Sequence, residues 1–212
     1  MRETPFSLPV QWSDDTIPPY GTAPRESNGR GGTVNTHRHA SARLGPTERA
    51  ATGGTDLGLF VLRVVVGLVL AGHGAQKLFG AFGGPGLQNW EQQLSTMGYE
   101  PARWFALANA IAEFGGGLLL VLGLLTPLGC AALLGVMINA IPLKAANGFW
   151  IPQGFEYETV LAALAVVLAI TGPGLISLDR RFTWARGGVA SAVVAIVLGV
   201  IVGVVAYFLK SG

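Results

Sequence analysis

The sequence is poor in charged residues and in cysteine. Only 12% of its 212 residues are charged, whereas a soluble domain usually carries about 25%. The single cysteine, Cys130, excludes an internal disulfide and a CxxC motif, and with them thiol–disulfide chemistry within one chain. The net charge of +2 gives no support for nucleic-acid binding. Motifs for haem, iron–sulfur or flavin binding are also lacking, so the chain itself indicates no cofactor and no metal.

Long apolar runs make up most of the remainder, and half of all residues are hydrophobic. Charge is concentrated at the N-terminus, where residues 1–56 hold six of the fourteen basic and six of the twelve acidic residues. This segment is rich in Pro, Gly, Ser and Thr, so we expect a disordered tail. The two histidines of the tail, His37 and His39, have no further ligand nearby and make a weak metal site.

The apolar runs predict a multi-pass membrane protein, because a membrane-spanning helix needs roughly 20 apolar residues. The predicted spans, five in number, are 57–78, 104–125, 128–143, 157–176 and 189–209. The pair Pro173-Gly174 is expected to break or end the fourth helix near Thr171.

Lys and Arg near the span ends favour a cytoplasmic N-terminus, with six such residues on the cytoplasmic side against four outside. We therefore expect a multi-pass protein of the plasma membrane. In the loop after the first span, Leu87, Trp90, Leu94 and Met97 recur at helical spacing, which predicts a short amphipathic helix near 87–97. The last span carries Gly199 and Gly203, a GxxxG pair that favours close packing on another helix.

Polar residues inside the spans gather at one level, the outer third of the predicted bundle. Charged groups at membrane depth are costly and usually functional. Glu113 is the most informative, because a carboxylate at that depth needs a partner or must become neutral. The candidate partners by depth are His73 and Lys77 above it and Arg63 below it, towards the cytoplasmic end of the first span. The other polar residues near this level are Asn109, Asn139, Lys144, Glu156 and Glu158.

Helical phase supports this convergence. His73 and Lys77 lie four residues apart and share a face, as do Asn109 and Glu113. The same faces carry glycines that let helices approach closely. A His–Glu pair in such a pocket could exchange a proton near neutral pH. The alternative for Lys77 and Lys144 is a simple anchor at the membrane surface, and Glu113 with a basic partner could merely lock the helices together.

Four motifs in order resemble the DoxX family of membrane proteins. They are LRVVVGLVLAGHGAQKLFG, AEFGGGLLLVLGLLTPLG, NGFWIPQGFEYE and ITGPGLISLD, and together they cover about residues 57–182. The resemblance implies an all-α, polytopic four-helix membrane bundle, here with a fifth C-terminal transmembrane helix in residues 183–212. It also implies that the polar pattern of the family falls on Arg63, His73, Lys77, Glu113 and Glu156.

Members of this family are associated with thiosulfate oxidation coupled to quinone reduction and with membrane oxidoreductase complexes. The expectation is therefore a membrane subunit of a quinone-linked oxidoreductase, with Glu113 and His73 as proton-handling residues. Arg63, Lys77, Asn109, Asn139, Lys144 and Glu156 would bind the substrate or quinone. Its expected partners are the lipid bilayer, redox partner subunits and further copies of the chain. A non-catalytic scaffold or assembly factor, or a carrier of a small solute or lipid, remains an alternative.

Overall fold

A computed structural model of the protein describes residues 46–150, 152–182 and 189–210. The predicted disordered tail therefore lies largely outside the described residues. Within them the chain forms six α-helices, whose bounds are α1 Pro46–Phe79, α2 Gly86–Thr96, α3 Ala102–Leu122, α4 Thr126–Lys144, α5 Glu156–Thr171 and α6 Val189–Phe208. Residues 46–56, which we expected in the tail, form the first turns of α1.

Four of these helices, α1, α3, α4 and α6, are long and apolar enough to cross a membrane. The remaining apolar helix, α5, has 16 residues, so it is about 24 Å long at 1.5 Å per residue. It ends at Thr171 because Gly172 and Pro173 follow, and a proline cannot continue a helix. The predicted span 157–176 runs past this end, whereas the break expected at Pro173-Gly174 places it correctly.

The helices α1, α3, α4 and α5 form a closed ring in which each packs on the next, and α6 packs outside it on α4 and α5. This is the predicted four-helix membrane bundle with a fifth C-terminal helix. The core contains Val66, Leu70, Leu120, Leu133 and Leu168, which come from all four helices of the ring.

Glycines set the closest approaches between helices. A Cβ atom added to Gly117 of α3 would lie 2.4 Å from the backbone nitrogen of Ala71 in α1. A Cβ atom at Gly203 of α6 would lie 2.7 Å from the carbonyl oxygen of Gly135 in α4, and one at Gly199 would lie 2.9 Å from that of Ala131. Only glycine permits backbones to come this close, so the predicted GxxxG packing of the last helix is confirmed.

The short helix α2 covers one end of the bundle, as the loop periodicity predicted. Its residues Leu87, Trp90 and Leu94 pack with Tyr99 and Phe105 in a second apolar cluster. We call this end, where α1 and α4 finish and α3 and α5 begin, the cavity end. Lys210 after α6 also reaches it, through an isolated antiparallel bridge to Tyr99.

The other end of the bundle, which we call the Arg63 end, is closed by the segment that follows α5. Arg63 is 1% exposed, and its guanidinium donates to the carbonyl oxygens of Pro173 at 2.5 Å and Ile176 at 2.6 Å. Asp179 accepts from the backbone N–H groups of Leu125 and Thr126, both at 2.8 Å. The carboxylate thus satisfies N–H groups at the start of α4, which have no partner within the helix.

Candidate functional site

A cavity of about 670 Å³ lies at the cavity end of the bundle. This volume falls within the range of pockets that bind small molecules, roughly 300–1,000 Å³. Its apolar lining includes Leu70, Leu94, Phe105, Val136 and Leu161. Its polar and aromatic lining consists of His73, Lys77, Trp90, Tyr99, Asn109, Glu113, Asn139, Lys144, Asn147, Tyr157 and Glu158.

The first polar group of the cavity is an ion pair between α1 and α3. Lys77 Nζ lies 2.5 Å from Glu113 Oε1 and donates a second hydrogen bond to Asn109 Oδ1 at 2.8 Å. The ammonium group also lies 4.4 Å from the centre of the Trp90 ring, within the range of a cation–π contact. Glu113 is only 3% exposed. Lys77 is thus held by three neighbours inside the bundle, which argues against a simple surface anchor.

The pair forms here because glycines bring α1 and α3 close together. A Cβ atom on Gly74 would lie 2.3 Å from the backbone nitrogen of Phe114, the residue after Glu113. Gly74 in turn precedes Lys77 by three residues, so the two charged side chains leave their helices next to a point of backbone contact. The close contact at Gly74 therefore helps to bring Lys77 and Glu113 together.

A second ion pair joins α4 and α5. Lys144 Nζ lies 2.5 Å from Glu158 Oε1. The two partners differ in burial, since the Lys144 side chain is 44% exposed and that of Glu158 is 6% exposed. The carboxylate is therefore inside the bundle, while its cation lies at the rim of the cavity.

Two further hydrogen bonds link aromatic hydroxyls to polar side chains. His73 Nε2 lies 3.0 Å from the hydroxyl of Tyr157, with donor and acceptor roles that depend on the imidazole tautomer. The Tyr99 hydroxyl donates to Asn139 Oδ1 at 2.6 Å. Burial raises the pKa of Tyr99, so its hydroxyl remains a neutral donor at physiological pH.

Three buried polar atoms on the cavity-lining residues have no hydrogen-bond partner among the described residues. They are Glu113 Oε2, Glu158 Oε2 and Trp90 Nε1. Leaving such a group unpaired in a folded protein is unfavourable. Two acceptors and one donor around one cavity are what a polar ligand would satisfy.

Most of the predicted site residues meet at this cavity. His73, Lys77, Glu113, Asn109, Asn139 and Lys144 all line it. The ion-pair partner of Glu113 is Lys77, whereas His73 bonds to Tyr157. The two proposed proton-handling residues thus share the cavity, each with a different neighbour.

The structure places Arg63 and Glu156 elsewhere. Arg63 lies at the opposite end, where it binds backbone carbonyls of the segment after α5. It precedes Lys77 by 14 residues on α1, or about 21 Å along the helix axis. Glu156 is on the first turn of α5 but does not line the cavity; Glu158 does. The carboxylate of α5 at the site is therefore Glu158.

Sequence reasoning left five of these polar and aromatic cavity residues out of the site: Trp90, Tyr99, Asn147, Tyr157 and Glu158. Trp90 was visible as part of the amphipathic pattern of α2, and Glu158 as a second acidic residue in the first turn of α5. The signal that separates Glu158 from Glu156 is helical phase, because residues two apart lie about 200° apart around the axis. Tyr99 gave no signal, since it lies between two helices.

The described residues contain no group of three His, Cys, Asp or Glu side chains that could hold a metal ion. Many polar groups of the cavity are paired with one another, in two Lys–Glu pairs and two hydrogen bonds that involve tyrosine hydroxyls. Their chemistry suits hydrogen bonding and proton exchange with an organic ligand.

Comparison with known proteins supports the assignment that the motifs suggested. The family model DoxX matches residues 58–150, a range that includes the Lys77–Glu113 pair and Lys144. The uncharacterized membrane protein Rv3486 of Mycobacterium tuberculosis is 32% identical over 136 residues, which is 58% of this chain and 79% of that protein. The chain belongs to the DoxX family. No solved structure matches the chain significantly.

The match to the DoxX model ends before α5 and α6 begin. Both helices nevertheless contribute to the cavity of this DoxX-family protein, α5 through Tyr157 and Glu158 and α6 through Val202 and Ala206. The last helix is therefore part of the cavity wall rather than a separate anchor.

Proposed function

We propose that this DoxX-family protein is the membrane subunit of a quinone-linked oxidoreductase complex and that its cavity binds the quinone ring. The observation that carries the proposal is an apolar cavity with buried, unpaired polar atoms on Glu113, Glu158 and Trp90. Quinones are apolar molecules that enter a site from the bilayer. Their ring oxygens accept hydrogen bonds as carbonyls and can donate them as hydroxyls after reduction, so they need polar partners in the site.

The residues present fit such a ligand. Trp90 and Phe105 offer aromatic surface next to the polar groups, and the unpaired indole N–H of Trp90 can donate to a ring oxygen. Tyr157, which lines the cavity, is also 38% exposed at the bundle surface, so we expect a ligand to enter beside it.

A bound quinone would accept two electrons from a redox partner subunit and two protons. Glu113 is placed to relay one proton, because it lines the cavity and its Oε2 atom has no partner among the described residues. His73 can exchange a proton with the Tyr157 hydroxyl across their 3.0 Å contact. Lys77 fixes the position of Glu113 in both protonation states through its additional bond to Asn109.

The Lys and Arg bias supports a place in the plasma membrane with the N-terminus in the cytoplasm. The cavity end would then face outwards. Cysteine labelling of intact cells at Asn89 on α2 tests this: reagents that cannot cross the membrane should modify Asn89→Cys in the Cys130→Ala background. Labelling only after lysis would reverse the orientation.

The function is tested by titrating purified protein with decylubiquinone in a calorimeter and by measuring quinone reduction in membranes that contain the partner subunits. The matched variants are Glu113→Gln and Glu156→Gln, which make the same change inside and outside the cavity. We expect binding by the wild type, wild-type behaviour of Glu156→Gln, and slower quinone reduction by Glu113→Gln.

Failure of the wild type to bind the quinone, or equal behaviour of the two variants, would refute the proposal. One observation favours a scaffold as the second candidate, because both ion pairs join neighbouring helices, α1 to α3 and α4 to α5. A scaffold predicts that Glu113→Gln unfolds at a clearly lower temperature than Glu156→Gln, while neither variant affects any quinone reaction.

A further inference from the structure

The carboxylates of the cavity are bound in the same way. Glu113 and Glu158 each present one oxygen, Oε1, to a lysine ammonium at 2.5 Å. The other oxygen of each carboxylate is buried and has no donor among the described residues. Among the described residues, the Oε1 atom of each carboxylate is therefore paired, and its Oε2 atom is left for a ligand.

These two carboxylates come from opposite sides of the helix ring. Glu113 belongs to α3 and Glu158 to α5, and each of these helices lies between α1 and α4 in the ring. Both side chains line the same cavity. A ligand in the cavity thus has a hydrogen-bond acceptor on either side of it.

The chemistry of the two free oxygens selects the ligand. An ionised carboxylate oxygen accepts hydrogen bonds and cannot donate them. An oxidised quinone offers only carbonyl oxygens, which are also acceptors, so it would leave both carboxylate oxygens unsatisfied. A quinol carries two hydroxyl groups on opposite sides of its ring, and each hydroxyl can donate to one carboxylate.

We infer that the cavity recognises the dihydroxy form of its ligand, a quinol, through hydrogen bonds from its two hydroxyls to Glu113 Oε2 and Glu158 Oε2. This inference rests on the proposed function. It assigns Glu158, held in place by Lys144, as a binding residue that sets the preference between the two redox forms. No bond is formed or broken in this step.

Substitution by glutamine changes the direction of the hydrogen bond while preserving shape. In Glu158→Gln the amide oxygen can still accept from Lys144, which turns the amide NH₂ group towards the ligand. That group donates, so it suits a quinone carbonyl and opposes a quinol hydroxyl. A hydrogen bond to a charged group corresponds to roughly tenfold or more in affinity.

The experiment measures the affinity of the full-length protein for decylubiquinone, decylubiquinol and the dimethyl ether of decylubiquinol, anaerobically and by calorimetry. We expect the wild type to bind the quinol about tenfold or more tightly than the quinone. The dimethyl ether, which has no hydroxyl donors, should bind no more tightly than the quinone. Glu158→Gln should lose this preference or reverse it, while Glu156→Gln should retain it.

The outcomes separate the inference from the proposed function. If the wild type binds neither redox form, the proposed function fails and the inference fails with it. If the wild type binds both forms equally, or prefers the quinone, only the preference is refuted. The preference is also refuted if Glu158→Gln and Glu156→Gln show the same ratio of quinol affinity to quinone affinity. Because Glu158→Gln should strengthen quinone binding as it weakens quinol binding, misfolding cannot imitate the expected result.

Discussion

The contact between α1 and α3 at Gly117 permits a direct test of how the fold positions the site. A Cβ atom at this position would lie 2.4 Å from Ala71 N and 2.6 Å from Gly67 O, both of them backbone atoms. Backbone atoms of a packed helix cannot move aside as a flexible side chain can. Gly117→Ala should therefore force the two helices apart. Two residues earlier, a Cβ atom at Gly115 would have nothing within 4 Å, so Gly115→Ala is a matched control.

The size of the effect follows from the geometry. Ordinary contact begins near 3.4 Å, so a clash at 2.4 Å requires a local separation of about 1 Å. A gap of that size forfeits a quarter to a half of the dispersion attraction between the atoms involved, and overpacking of this kind costs about 1–3 kcal/mol. Glu113 is one helical turn from Gly117, so the separation also strains its 2.5 Å contact with Lys77.

Thermal unfolding in detergent and calorimetric titration with decylubiquinone provide the assay. We expect Gly117→Ala to lower the unfolding midpoint and weaken ligand binding. Gly115→Ala should be as stable as the wild type or more stable by up to about 1 kcal/mol, because alanine favours a helix interior over glycine. A Gly117→Ala variant as stable as the wild type, or a Gly115→Ala variant equally destabilised, would show that close backbone approach does not hold α1 and α3 together.

Three other substitutions test the remaining contacts by the same unfolding measurement. Asp179→Ala removes the acceptor at the start of α4 and should cost about 1–2 kcal/mol; an unchanged midpoint would contradict this role. Arg63→Met removes the hydrogen-bond donor of two backbone carbonyls. Each carbonyl left unpaired should lower the free energy of unfolding by about 1–3 kcal/mol. The substitution should not alter the quinone affinity of the folded protein, and a changed affinity would place Arg63 in the site after all. Gly203→Leu should push α6 off α4 and cost about 1–3 kcal/mol, whereas Val204→Leu, at an exposed position of α6, should be neutral.

Hydropathy located the apolar helices, but it located the ends of some helices better than those of others. It predicted the last span as 189–209, and α6 is Val189–Phe208. It began the first span at Leu57, whereas α1 begins at Pro46. Hydropathy reports which residues tolerate lipid, and backbone hydrogen bonding continues a helix into polar sequence beyond them. Local chemistry did mark one boundary, because the break expected at Pro173-Gly174 matches the end of α5 at Thr171.

The site could be predicted where depth and helical phase agreed. Lys77, Asn109 and Glu113 were placed on facing helices at one level, and the structure joins them through hydrogen bonds. Helical phase alone was misleading for Arg63. This residue lies on the same face of α1 as Lys77, but about 21 Å away along the helix axis. Depth alone was misleading for Glu156. This residue lies at nearly the same depth as Glu158, but on another side of α5.

The placement of charge is itself an argument about function. Removing an ion pair from water costs free energy that the attraction between the charges often fails to recover, so apolar residues would hold these helices together at least as well. The glycine contacts between α1 and α3, and between α4 and α6, already supply close packing without charge. A chain with only 12% charged residues nevertheless buries two carboxylates at a single cavity, each with one oxygen that has no partner among the described residues. Close packing alone does not require this arrangement, and the proposed ligand would supply hydrogen-bond donors to both carboxylates.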